Sequence, residues 1–284
     1  MSRTPLFDRL VDDAAVFPPG LAPLDVAVRE HLDRRSAPYA GHIGALLVPA
    51  TSAAEVTRLA AQDERTAGRP LDVGLVVRPG SPLTPAIEAT TLLRDDTRVV
   101  VTGLEVGWSP DWRSVLPLDV PVVVEVGLGT DQQAGLDDIA AAVDDDAQVT
   151  AKFRTGATPT WPWPDEHVLG GFLDAVILHG LSFKLTGGLH HAVRGEHAGE
   201  QQHGLLNVIV ATHEALAGAE APELAHVLAQ TSAELLADRV SRLTAVDAAR
   251  VRASFTAYGC CGVLDPLIEL AALGLIDEHP HLAR

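Results

Sequence analysis

The chain has 284 residues, 47% of them hydrophobic, enough to bury the core of one large α/β barrel or two small domains. A formal net charge of −17 argues against a nucleic-acid or anionic-membrane partner, since both demand clustered positive charge. No run of about 18 apolar residues occurs, so no membrane span is expected.

Residues 1–8 run into acidic positions where a secretory signal would need its apolar stretch, which points to a cytoplasmic protein. Beyond this N-terminal cap, apolar runs follow at residues 42–50, 71–78, 98–106, 121–126, 149–155 and 181–186, with a further one at 254–260. Amphipathic stretches at 53–63, 85–93, 136–143 and 166–179 separate them. Short, nearly continuous apolar strands alternating with helices indicate a parallel sheet covered on both faces. The pattern predicts a (β/α)8 TIM-type barrel filling one domain over 1–284, with its eighth strand near 239–244 and a helical C-terminal third. The rival is a doubly wound dinucleotide fold. Its glycine fingerprint is nearly absent: Gly127 and Gly129 follow a strand, but Gln132 stands where the third glycine belongs. The segment 158–164, rich in proline and tryptophan, reads as a rigid loop.

Two lysines stand against 19 arginines, and both lie in apolar strand runs with a glycine four residues on: Lys152 ahead of Gly156, Lys184 ahead of Gly188. Arginine stays charged, whereas lysine can lose its proton and attack carbonyl carbon. Strand alternation puts Thr150, Lys152 and Arg154 on one face, and Ser182, Lys184 and Thr186 on one face of the next strand. Ala151, Phe153, Phe183 and Leu185 then face the covering helices. Two ammonium groups on adjacent strands would repel one another, and repulsion with desolvation is expected to lower the pKa of one. Glu105 and Glu125 close earlier strand runs, Glu105 in phase with Val101 and Gly103, and are candidate acid/base groups or counter-ions. Arg154 and Arg194 are candidate anion clamps; Arg154 could equally pair with Glu125.

The pair Lys152-Phe153-Arg154-Thr155-Gly156 and Phe183-Lys184-Leu185-Thr186-Gly187-Gly188 resembles the paired lysine strands of class I, Schiff-base aldolases, with the deoxyribose-phosphate aldolases as the nearest pattern. The resemblance covers about 40 residues. It implies Lys152 as the nucleophile, Lys184 as the group that perturbs it, and Thr155, Thr186, Gly187 and Gly188 on the substrate or phosphate side. It implies no cofactor. Phe153 and Arg154 replace the small hydroxyl residues usual in that family, and no aspartate matches its proton relay. Asp12 to Pro19 and Gly187 to His191 also resemble segments of bacterial proteins of unassigned function.

His190, His191, His197 and His203 crowd into 14 residues after the second lysine strand. They could bind a metal, completed by Asp12, Asp13 or Glu125, or His190 and His191 could serve as acid/base groups. Asn207, in the first turn of an apolar helix, reads as packing. The only cysteines, Cys260 and Cys261, are adjacent, which disfavours a disulfide between them; they read as small buried residues at a strand end. Three functions result: an aldolase-like lyase on a small anionic carbonyl compound or phosphorylated substrate, a metal-dependent lyase or hydrolase, and a barrel that only binds a phosphorylated metabolite. A homo-oligomer is compatible with each.

Overall fold

In the computed structural model, which describes residues 5–277, ten strands and eleven α-helices are formed, besides four short 3-10 helices. Residues 1–4, used above in the reading of the N-terminus, lie outside the described residues. The strands are β1 (Val11–Asp13), β2 (Ile43–Pro49), β3 (Leu71–Val76), β4 (Val99–Gly107), β5 (Val122–Glu125), β6 (Val149–Arg154), β7 (Phe183–Thr186), β8 (Gly195–His197), β9 (Glu200–Gln202) and β10 (Phe255–Cys260). The helices are α1 (Leu24–Arg34), α2 (Ala53–Gln62), α3 (Arg65–Gly68), α4 (Thr84–Leu93), α5 (Thr130–Asp144), α6 (Glu166–Leu178), α7 (Leu205–Leu216), α8 (Ala221–Leu228), α9 (Ala233–Ser241), α10 (Ala245–Ser254) and α11 (Leu264–Ala272).

Eight of the strands close into a parallel barrel in the order β1-β10-β7-β6-β5-β4-β3-β2, while β8 and β9 form a separate hairpin. The expected TIM-type barrel is therefore present, and the doubly wound alternative is not. One strand assignment fails. Residues 239–244 belong to the end of α9 and the turn after it, and the eighth strand is β1, inside the segment expected to be a cap. Three residues, two of them aspartates, carry no apolar run to betray a strand. No helix among the described residues is long and apolar enough to cross a membrane.

Alternation works as the sequence predicts. Phe153, Phe183 and Phe255 leave β6, β7 and β10 on the outer face, where Phe172 of α6 joins them. Ring centroids are 4.6 Å apart for Phe153–Phe172, 5.8 Å for Phe172–Phe183 and 5.1 Å for Phe183–Phe255. Each such pair contributes about 0.5–1.5 kcal/mol beyond burial, so this row fixes how β6, β7 and β10 sit against the helices. On the inner face, Thr150 Oγ1 and Ser182 Oγ meet at 3.0 Å. The 158–164 loop is braced by a Thr158–Trp161 bridge and by Trp161 Nε1 donating to the Arg154 carbonyl at 3.2 Å.

Register shifts interrupt simple alternation in the β1–β2, β7–β10 and β3–β4 pairings, and the last of these bears on the site. Val73 and Gly74 of β3 pair with Val101 and Gly103 of β4, so Thr102 is an extra residue, and its Oγ1 donates to the Val73 carbonyl at 3.1 Å. A bulge of this kind reverses the phase of what precedes it. By that reversal Val101 leaves the inward phase expected of it and packs against the hydrophobic core, while Gly103 and Glu105 keep theirs.

Candidate functional site

Lys152 and Lys184 occupy matched register positions on β6 and β7, and both side chains are buried in the lumen. The groups around them come from three other strands. Lys152 Nζ donates to Glu105 Oε2 at 2.7 Å and lies 2.9 Å from Glu125 Oε2. Lys184 Nζ donates to Glu105 Oε1 at 2.5 Å and to Asp12 Oδ2 at 2.5 Å. Glu105 thus bridges the two lysines with its two oxygens. Arg154 Nε donates to the remaining Glu125 oxygen at 3.0 Å, and the Ala45 amide holds Asp12 Oδ1 at 2.8 Å. Three cations meet three carboxylates in one continuous network.

This balance reverses the expected electrostatics. Burial alone would strip protons from the lysines, but the carboxylates outweigh it: Glu105 and Glu125 raise the Lys152 pKa, and Asp12 and Glu105 raise that of Lys184. Burial would likewise raise the Glu105 carboxyl, yet Lys152 and Lys184 hold it at about 2. Glu125 is also held low against its burial, by Lys152 and Arg154. Mutual repulsion of two ammonium groups does not set their state, because each has its own carboxylate and both share a third. In the resting site the lysines are ammonium ions.

Asp12 and Asp13 go opposite ways. Asp12 enters the lumen, while Asp13 is fully buried on the outer side, 3.1 Å from His31 Nδ1 and 2.8 Å from Arg34 Nη1 of α1. Asp13 ties strand to helix and takes no part in the site. Gly44 makes room for Asp12, since a Cβ there would stand 2.0 Å from Asp12 Oδ1. Gly44→Ala is expected to cost about 1–3 kcal/mol through overpacking. Urea unfolding reads this directly, and a shift within error would show that Asp12 has slack.

Toward the C-terminal mouth, Gly187 and Gly188 adopt positive φ angles of 68° and 88°. Thr155 Oγ1 donates to the carbonyls of Thr186 and Gly187, and Gly156 packs on the Gly187–Gly188 backbone. A Cβ on Gly188 would stand 2.8 Å from Trp163 Cζ3. Both glycines and Thr155 thus have a packing reason to be where they are. Arg154 Nη1 lies against Gly187, 3.3 Å from where a Cβ would be, and the terminal guanidinium nitrogens meet no acceptor among the described residues. The sequence left Arg154 as either counter-ion or anion clamp; its Nε does the first and its free nitrogens remain open to the second.

The four crowded histidines do not converge on one point, although His191 and His197 stack. His190 Nδ1 lies 3.0 Å from Asp265 Oδ2, and its Nε2 is 3.4 Å from Cys261 Sγ. His191 pairs with Glu269 at 2.7 Å and stacks on His197. His203 is buried against the Pro164 carbonyl at 2.8 Å, and burial lowers its pKa to about 4, so it stays neutral. Among the described residues, no group of three or more His, Cys, Asp or Glu side chains is arranged to hold a metal ion. The expected ligands Asp12 and Glu125 are taken by lysines. Arg194 is engaged by Glu166 at 2.6 Å and by His203, not by lumen carboxylates. Asn207 donates to the carbonyls of Val227, Leu228 and Gln230 and accepts from the Arg194 amide, which makes it a buried brace, as its packing reading required.

Fold and lumen together define a TIM-type parallel α/β barrel with a buried lysine–carboxylate network. Comparison with protein-family models gives no match, and comparison with curated proteins gives none either. Two solved structures are slightly similar. One is mandelate oxidase with (S)-2-phenylpropionate, 15% identical, covering 89% of this chain and 75% of that chain at a TM-score of 0.37. The other is mandelate oxidase with 3,3-difluoro-2-hydroxy-3-phenylpropionic acid, 14% identical, covering 86% and 75% at a TM-score of 0.37. A likeness of that degree assigns neither a family nor a reaction.

Proposed function

We propose that the barrel is a Schiff-base carbon–carbon lyase, with Lys152 as the nucleophile and a small anionic carbonyl compound as substrate. The observation that carries this reading is the register-matched Lys152–Lys184 pair sharing Glu105 inside the lumen. An ammonium ion cannot attack, so Lys152 must first hand a proton to Glu105 or Glu125, both already within hydrogen-bonding distance. The amine then adds to the carbonyl carbon, water leaves, and the iminium accepts the electron pair of the carbon–carbon bond that breaks. Lys184 stays charged and keeps Glu105 from holding that proton too tightly. Arg154, at the mouth beside Gly187, supplies the nitrogens for the substrate's anionic group.

The raised lysine pKa values favour one competing reading: lysines that remain charged and serve only to bind a phosphorylated metabolite. Borohydride trapping against a panel of small aldehydes, ketones and keto acids separates the two. A reduced adduct on Lys152, absent in Lys152→Arg, is the expected result, and with only two lysines its assignment by peptide mass spectrometry is simple. Failure of every carbonyl compound to label either lysine would leave binding as the barrel's role.

A further inference from the structure

A second cluster lies outside the lumen network, where β10 ends and α11 begins. Cys261 Sγ stands 3.4 Å from His190 Nε2, and the opposite nitrogen of that imidazole, Nδ1, stands 3.0 Å from Asp265 Oδ2. Thiol, imidazole and carboxylate thus form a line, with each end on its own ring nitrogen. This is the order in which a base is oriented by one partner and acts on the other. Cys260 is close to the same imidazole, 3.7 Å from Nδ1, but its sulfur donates to the Gly262 carbonyl and is buried, while Cys261 is partly accessible.

The backbone is shaped to hold this line. A Cβ on Gly262 would stand 2.2 Å from Asp265 Oδ2, so only glycine lets that carboxylate reach back to His190. The amides of Gly262, Val263 and Leu264 find no acceptor among the described residues, so the thiol stands beside free N–H groups at a helix start. The cysteine follows Gly259 by two residues, and Gly259 lies beside Thr186 and Ala14 at the C-terminal end of the lumen. The thiol is therefore at the barrel mouth.

We propose that Cys261, His190 and Asp265 form a second nucleophilic centre, which transfers acyl groups from small esters or thioesters. The sulfur attacks the acyl carbon as the carbonyl π pair moves to oxygen. When the pair returns, the bond to the leaving group breaks, and His190 delivers to that group the proton that came from the thiol. Water then cleaves the thioester and restores the thiol, with no oxidant or reductant needed. Addition to an aldehyde would stop at a thiohemiacetal, because carrying it further would require an oxidant. The Cys260 and Cys261 sulfurs, with Asp265, raise the His190 pKa to about 11 against its burial. Those three residues are the titratable groups facing it.

Two measurements on the full chain test this. Iodoacetamide should alkylate Cys261 at a rate that depends on the His190 imidazole beside it. Cys261→Ser should abolish this labelling, Cys260→Ser should keep it, and His190→Gln should lower the rate near pH 6 by about tenfold or more. With 4-nitrophenyl acetate, a burst of one equivalent of nitrophenolate with acetyl on Cys261 is expected. Asp265→Asn, a small change at the surface, should weaken both readouts while the protein stays folded. Labelling that survives Cys261→Ser, or that is as fast in His190→Gln as in the parent protein, would overturn the proposal, as would alkylation without any acetyl transfer.

Discussion

Glu105→Gln is expected to destabilise the protein by about 3–5 kcal/mol, a large share of the stability of any single domain. The size follows from position. Glu105 is buried, and each of its oxygens holds a different ammonium ion. Removing its charge leaves Lys152, Lys184 and Arg154 facing only Asp12 and Glu125, so one buried positive charge has no counterpart. Replacing a partner in such a pair costs far more than the pair contributes over an apolar substitute, because the charge left behind has been taken out of water. Urea unfolding at neutral pH measures the difference through the shift in midpoint. A cost below about 1 kcal/mol would mean that water reaches the lumen and screens the lysines. The same variant should release a proton from one lysine near neutrality, and borohydride trapping, if it occurs, should then extend to lower pH than in the parent protein.

Stability should be flat across the neutral range and fall steeply at both ends. Glu105, held at about 2, has a folded pKa below its unfolded value of about 4.3. Its contribution is therefore complete above that unfolded value and is lost as the pH falls toward 2. Glu125 acts in the same direction. The lysines mirror this: their folded pKa values lie above the unfolded value of about 10.4, so their contribution is complete below it and drains away as the pH rises through the folded values. Urea midpoints across the pH range should show both limbs, with the acid limb shallower in Glu105→Gln. A midpoint that drifts steadily through neutrality would point instead to histidines as the controlling groups, and His203, held neutral by burial, would be the first to examine.

How much of this was legible in the sequence depended on distance along the chain. Seven barrel strands announced themselves as apolar runs, and strand alternation put Lys152, Arg154, Lys184 and Thr186 on the correct face. Glu105 and Glu125 were found because each closes a strand at a polar position. Asp12 reads from the sequence as a possible metal ligand and not as a partner of Lys184, since β1 is three residues long and pairs with β10, which lies more than 240 residues away. Without that pairing the lysines lacked a third carboxylate, and repulsion looked dominant. The histidine cluster failed for the same reason. Closeness in sequence suggested one site, but the hydrogen-bond partners of the His190 and His191 side chains come from beyond residue 259.

The bulge at Thr102 makes the lumen's charge depend on the length of one strand segment rather than on a side chain. Glu105 faces inward and Leu104 outward because three residues of β4 span what two of β3 span just below them. Losing one residue there would exchange the two, leaving a leucine among the ammonium groups and a carboxylate against the helices. Substitution at Thr102 is thus far milder than deletion. A lineage that altered β4 by a single codon's length would keep every charged residue of this network in its sequence and lose the network itself.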